Sequence, residues 1–333
     1  DAWMRIGAVD ITWDGSKYEF SRSSYSNFGC VDGYATPHPC VYTEFGSNER
    51  GTVEGTSFSS PVTTSLIAMG FMLIFSIGRV LNLAYGAYLL LGGYTYFYFA
   101  QTLGLPKIVG LSLAAIVGAT MGVLKFQLIV KRLGGNHVTV EITTLILAVV
   151  LQAAVILVFG DSSKILLPIV PGVTQVGVAA VPYSNLVAAM ASWIILIALY
   201  FFVRKTHVGR AMQAVSMDAK GAAISGVDAG RINMFTWGLS GALGAIAGVF
   251  FASYTQLYPG MWVAPLIIAV AVVIVGGIGS IIGTLIVAHI IGFMEIISVA
   301  VIAPELRGVF TMLLIIGVLV IRPKGLFGRE EIS

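Results

Sequence analysis

The stretch RKTHVGRAMQAVSMDAKGAAISGVDAGR, residues 204–231, is a polar interruption in an otherwise apolar sequence, and its reading decides the rest. It carries Arg204, Lys205, Arg210, Lys220 and Arg231 against Asp218 and Asp228, with long apolar runs on both sides. A basic loop between two membrane-length runs belongs on the cytoplasmic face. Val208, Ala211, Met212 and Val215 fall at helical spacing, and a second short helical patch covers residues 219–225. Short helices on the cytoplasmic surface of a membrane protein suit docking to a soluble partner. Composition alone leaves an ordinary basic connector open as well.

Working outward, 57% of the 333 residues are hydrophobic and only 11% are charged, against about 25% charged in a typical soluble domain. The mean hydropathy is +0.91. These values exclude an ordinary soluble enzyme and define an all-α polytopic membrane protein. The character changes near Pro61. Residues 1–61 hold four basic and eight acidic residues, a net of −4, and contain no membrane-length run. Residues 62–333 hold fifteen basic and eight acidic residues, a net of +7. The expected domains are therefore 1–61, outside the membrane, and 62–333, within it. The chain starts with Asp and shows no signal peptide, which reads as a fragment or a processed product.

The apolar runs predict eight to nine transmembrane helices, placed near 62–78, 84–101, 106–127, 139–160, 184–203, 232–253, 265–279, 281–302 and 308–321. The first and seventh are short of the roughly 20 residues of a normal span. With alternating loops, eleven basic residues fall on one side: Arg79, Lys131, Arg132, the five of the 204–231 loop, Arg322, Lys324 and Arg329. Lys107, Lys164 and Arg307 fall on the other. That asymmetry puts the N-terminus outside and the C-terminus in the cytoplasm. Outside, Cys30 and Cys40 stand in a compartment where they could pair or remain free thiols.

Gly238, Gly241, Gly244 and Gly248 run through one span, and Gly276, Gly277, Gly279 and Gly283 break two others. Gly244–Gly248 and Gly279–Gly283 are small-xxx-small pairs that let helices approach closely. The second cluster also suits a kinked or re-entrant element lining a pathway, so Gly277 and Gly279 are pathway candidates. Intramembrane polar groups are functional candidates by default, and these are Asn82, Tyr85, His289 and Glu295. Glu295 also reads as a carboxyl tying two helices together, and His289 as a packing residue. The four histidines are scattered and form no metal-ligand cluster, so neither a metal nor a cofactor is expected.

Four segments carry a resemblance. Residues 69–94, MGFMLIFSIGRVLNLAYGAYLLLGGY, and 208–233, VGRAMQAVSMDAKGAAISGVDAGRIN, are similar to the first motif and the cytoplasmic loop of the LivH-type branched-chain amino-acid ABC permeases. So are 271–297, AVVIVGGIGSIIGTLIVAHIIGFMEII, and the ending 318–328, VLVIRPKGLFG. The resemblance covers about 66–328. It departs at Tyr85, where the family usually has His, and at 221–226, GAAISG, a loose form of the Glu-Ala-Ala…Gly pattern of ABC permeases. It implies a permease subunit of an importer for branched-chain amino acids or a related small polar solute. The implied partners are ABC ATPase subunits, a second permease subunit and a periplasmic solute-binding protein, in a bacterial inner membrane. The implied ATPase-coupling residues are Gly209, Arg210, Ala211, Met212, Ala222, Ala223 and Gly226. Of these, Ala211, Met212, Ala222 and Ala223 are expected to enter a cleft on the ATPase. Gly209, Gly221 and Gly226 are expected to supply turns.

The N-terminal part reads differently. Residues 6–12 are β-prone and Asp14-Gly15 marks a tight turn. Residues 55–61, GTSFSSP, with IGAVD, SYSNFG and VDGYATP upstream, resemble the nucleophile motif of subtilisin-like serine proteases over about residues 4–64. Ser57 would be a remnant nucleophile. A working site needs a His base and an orienting Asp, which that family carries well upstream, and His38 sits in a loop outside the family's His motif. A small α/β fragment of such a domain, joined by natural fusion or by an assembly artefact, is the expectation. Two other functions stay in view: a membrane-anchored protease fragment, disfavoured by the missing base, and an ion-coupled secondary transporter, disfavoured by sparse membrane charge.

Overall fold

The computed structural model describes residues 9–13, 18–22, 56–78, 80–133, 137–167, 169–170, 173–176, 179–277, 279–301, 309–322 and 325–327. Cys30, Cys40, His38, Arg79 and Arg307 lie outside them, as do the upstream segments of the protease resemblance beyond β1. The chain divides into two units, Asp1–Gly51 and Thr52–Ser333. In the first, β1 (Val9–Trp13) pairs antiparallel with β2 (Tyr18–Arg22), Trp13 opposite Tyr18, so the expected turn falls between two strands.

The second unit is helical. Its helices are α1 (Thr56–Gly78), α2 (Tyr85–Tyr96) with a π-helical extension Phe97–Thr102, and α3 (Lys107–Lys125). A π-helical turn, Phe126–Val130, leads from α3 into the short α4 (Lys131–Leu133). Then follow α5 (His137–Phe159), a hairpin of β3 (Val173–Val176) and β4 (Ala179–Pro182), and α6 (Tyr183–Lys205). The chain continues through α7 (His207–Met217), α8 (Ala219–Ile224) and α9 (Ala229–Tyr254). It ends with α10 (Val263–Gly276), α11 (Ile281–Val301) and α12 (Val309–Ile321). Each expected span coincides with one of these helices. Among the described residues five stretches are long and apolar enough to cross a membrane by length and composition: Ser60–Gly78, Lys107–Leu133, Val138–Phe159, Tyr183–Lys205 and Ala229–Ser253.

The first span is longer than its apolar run. Thr56–Pro61, read from sequence as the end of a protease motif, forms the first turns of α1, and Ser57 lies in the first of them. Ser65 Oγ donates to the Pro61 carbonyl at 2.8 Å, and Pro61 packs where Gly292 of α11 leaves room. The composition break at Pro61 and the boundary after Gly51 therefore differ, because polar Thr and Ser can begin a helix whose buried face comes later.

Glycines set which helices touch. On α9, Gly241 meets the Gly118 backbone of α3, and the Trp237–Gly238 backbone fits against Gly122. One turn further on, Gly244 lies against Tyr85 and Tyr88 of α2, and Gly248 against the Leu89 backbone. Ala245 fills the space left by Gly92. α9 is thus clasped between α2 and α3 at backbone contact, where dispersion and interhelical approach supply the association energy that water cannot supply in lipid. α3 and α5 carry the exposed apolar side chains Ile116, Leu124, Val149 and Leu157, the pattern of lipid-facing helices. α10 is 14 residues long and turns at Gly277 (φ +92°) and Gly279 (φ +82°) into α11. One of its last carbonyls is met from the C-terminal segment, where Leu326 N donates to Val275 O at 2.8 Å.

Candidate functional site

Three side-chain caps cut the 204–231 loop into separate helices. Thr206 Oγ1 accepts from Gly209 N at 3.0 Å and starts α7. Asp218 Oδ1 accepts from Lys220 N at 2.9 Å and starts α8. Asp228 Oδ1 accepts from Arg231 N at 3.1 Å and starts α9, with Arg231 Nε 3.0 Å from Asp228 Oδ2. Each cap satisfies an amide that a helix start leaves unbonded. α8 closes on Gly226 at φ +84°, and Val227 N bonds back to Ala222 O at 3.0 Å, a glycine-terminated helix end.

The expected coupling residues fall on two sides. Met212 and Ala222 are buried, and Gly209 is buried where its Cα meets the Phe202–Val203 backbone of α6. This corrects the expectation for Met212 and Ala222: their side chains pack into this chain and do not enter a partner. The physical reason is the stripe Gly209, Met212, Val215, all buried, which seats amphipathic α7 on the membrane helices. Arg210, Ala223 and Gly226 are exposed and Ala211 is half-buried. Met217 and Ile224, which sequence reading passed over, are 69% and 88% exposed and give the outer surface its apolar character. Gly209 and Gly221 lie inside helices, so among the three glycines expected to turn the chain only Gly226 does so.

A second polar constellation lies inside the helices. The connector between α1 and α2 is held by side chains of α5: Leu81 N donates to Glu141 Oε1 at 3.3 Å and Leu83 N to Thr144 Oγ1 at 3.2 Å. Backbone amides outside a helix need such partners at membrane depth. Asn82, fully buried, accepts on Oδ1 from Lys125 Nζ of α3. The same ammonium stands 5.0 Å from the Tyr88 ring centre and 4.9 Å from that of Trp237. Tyr85 packs edge-on against Phe71 at 5.8 Å and against Tyr88 at 6.0 Å. Asn82 Nδ2, Tyr85 OH and Tyr88 OH are buried without a hydrogen-bond partner. Asn82 and Tyr85 thus belong to one cluster, but its charged member, Lys125, was absent from the sequence reading. It lies at the end of an expected span, where a lysine reads as an interfacial anchor. Its position six residues before Lys131, about 9 Å deeper along a helix, was the available signal. The π-helical turn that follows it marks a helix distortion of the kind that gathers at functional sites.

The remaining candidates lie apart from this cluster. His289 Nδ1 is 2.9 Å from both Ser65 Oγ and Leu285 O, and its ring packs 5.0 Å from Trp193, a part-buried tie between α1, α6 and α11. Glu295 is 5% exposed on α11. It is expected to serve helix packing: Glu295→Gln should retain assembly and most transport, whereas Glu295→Leu should lose assembled complex on size-exclusion chromatography. A Gln variant that assembles but transports nothing would contradict this. Gly277 and Gly279 form the α10–α11 turn. Among the described residues no group of three or more His, Cys, Asp or Glu could hold a metal ion.

Apolar helices around glycine-mediated contacts, joined by a capped basic loop, define a multi-pass helical membrane protein. The chain belongs to the family described as "Branched-chain amino acid transport system / permease component", whose model matches residues 56–319. It is 27% identical over 286 residues to the high-affinity branched-chain amino acid transport system permease protein BraD of Pseudomonas aeruginosa, covering 81% of this chain and 93% of that one. Identity to LivH of Escherichia coli K12 is also 27% with the same coverage. For the probable branched-chain amino acid transport permease LivH of Methanocaldococcus jannaschii it is 29% over 301 residues, 85% of this chain and 93% of that one. The chain superposes on PsaBC from Streptococcus pneumoniae with a TM-score of 0.48 and 14% identity over 82% of its length. The family is a transport component and not an enzyme, its members sit in the inner membrane, and an ABC permease works with ATPase subunits and a solute-binding protein. The match starts at Thr56, so it includes most of the GTSFSSP segment.

Proposed function

We propose that this chain is the permease subunit of an ABC importer that carries branched-chain amino acids or a related small polar solute. It pairs with a second permease subunit and two ATPases, and receives solute from a periplasmic binding protein. The basic loop 204–231 faces the cytoplasm, and the N-terminus lies outside. The observation that carries the reading is the loop itself. Its caps at Thr206, Asp218 and Asp228 make rigid helices joined directly to α6 and α9. Its inner stripe is anchored, and its outer surface offers Arg210, Met217, Ala223 and Ile224. Basic neighbours steer the encounter and small apolar residues allow close approach. Asn82, Tyr85, Gly277, Gly279 and Glu295 remain the candidates for residues along or beside the pathway.

The test is reconstitution of the importer in proteoliposomes with radiolabelled l-leucine. Ala223→Glu is expected to leave the membrane unit folded, because Ala223 is exposed, and to abolish co-purification with the ATPase and leucine uptake. Uptake by Ala223→Glu at the parental rate would make the loop an ordinary connector.

A further inference from the structure

A cavity of about 420 Å³ lies between the loop-facing ends of α1 and α6, the face of α7 and the turn into α11, with Phe327 as part of its wall. That volume is within the range of roughly 300–1,000 Å³ typical of small-molecule sites. Its lining is mixed. Arg204, Gln213, Ser216 and Ser280 bring polar groups; Leu73, Ile77 and Ile281 bring aliphatic ones. Among the described residues of the lining Arg204 is the charged one, and its guanidinium lies 5.1 Å from the Tyr200 ring, so it is held at the rim. The first turn of α11 lines the same space, and the positive end of its dipole favours the same sign of ligand. Two walls are also mechanical parts. α7 is the amphipathic helix of the basic loop, and Gly279, at φ +82°, belongs to the turn between α10 and α11.

We infer that this cavity is the cytoplasmic exit chamber of the permease, and that it takes a small aliphatic solute through its carboxylate, held by Arg204. The inference rests on the transport reading above and adds to it a site, a ligand chemistry and a gate. Cation and helix start meet the carboxylate. The aliphatic wall meets the side chain. α7 is both the wall and the element on which the ATPase docks, so its displacement changes the chamber's width. That gives the coupling loop a direct mechanical target, with no need for a relay through the packed α2–α3–α9 core.

The test uses single-cysteine importers. Cys30 and Cys40 are the chain's two cysteines and are replaced by serine. Ser280→Cys and Ser216→Cys are each assembled with the partner subunits, and co-purification with the ATPase verifies assembly. Cytoplasm-out vesicles are treated with a membrane-impermeant maleimide, with and without l-leucine. Leucine is expected to slow modification of both thiols about tenfold, and leucinamide, which lacks the carboxylate, to protect poorly. Adding Arg204→Gln is expected to raise the leucine concentration needed by about tenfold, with Arg204→Lys in between. Equal modification with and without leucine in a transporting importer overturns the chamber. Equal protection by leucine and leucinamide, indifferent to Arg204→Gln, overturns the carboxylate assignment. An importer that transports a different solute refutes the cargo reading above; protection by that solute, or its absence, then decides the chamber separately.

Discussion

Gly248→Val is expected to remove most folded protein from the membrane fraction. A Cβ at Gly248 would stand 2.5 Å from Leu89 Cα and overlap the Leu89 carbonyl oxygen. Both are backbone atoms, so no rotamer change relieves the overlap, and α9 must move away from α2. Moving it disturbs α3 too, because Gly241 and Gly118 touch backbone to backbone on the other side of the same helix. Overpacking a single side chain costs about 1–3 kcal/mol, and displacing a helix from two neighbours should exceed that range. Gly317→Ala on α12 is the control: it is exposed, nothing lies within 4 Å of its added Cβ, and alanine favours the helix. Yield of monodisperse protein in mild detergent and the midpoint of thermal aggregation measure both. A Gly248→Val protein that elutes and melts like the parent would mean that the α2–α9 contact is not the packing centre.

The second large effect is expected at Lys125. Lys125→Ala removes the donor to Asn82 Oδ1, takes the cation from the faces of Tyr88 and Trp237, and leaves a void. Asn82 would then have its whole amide unpartnered beside two tyrosine hydroxyls that already lack partners. A buried void and a stranded acceptor together cost about 3–5 kcal/mol. Lys125→Met keeps most of the volume and loses only the polar part, so it should fall between Ala and the parent. Asn82→Asp puts a carboxylate in front of the ammonium and should keep the protein folded. Thermal midpoints in the order parent, Met, Ala support the tether; an Ala variant that melts with the parent rules it out.

The apolar runs by themselves determined that this is a polytopic helical protein, because backbone groups in lipid must be satisfied within each segment. The basic residues of 204–231 marked the polar loop, and its first helix was legible as Val208, Ala211, Met212 and Val215 at one spacing. The cap residues Thr206, Asp218 and Asp228, which fix where each helix starts, were not read from the sequence and emerged with the structure.

Sequence could not say which side of α7 faces inward. That depends on Gly209 lying against the Phe202–Val203 backbone, a contact set by how α6 enters the loop. It is why Met212 and Ala222 turned out buried and Met217 and Ile224 exposed. Nor could sequence show that Thr56–Pro61 belongs to α1, since the helix is fixed there by Pro61 fitting against Gly292, 231 positions away in the chain. Lys125 was hidden for the same reason. A lysine near a span end is an anchor or a buried cation depending on what lies beside it, and Asn82, Tyr88 and Trp237 come from three other segments. Local pattern fixed the secondary structure. Which polar groups meet inside the membrane was decided by backbone-to-backbone glycine contacts between distant helices, which only the tertiary packing supplies.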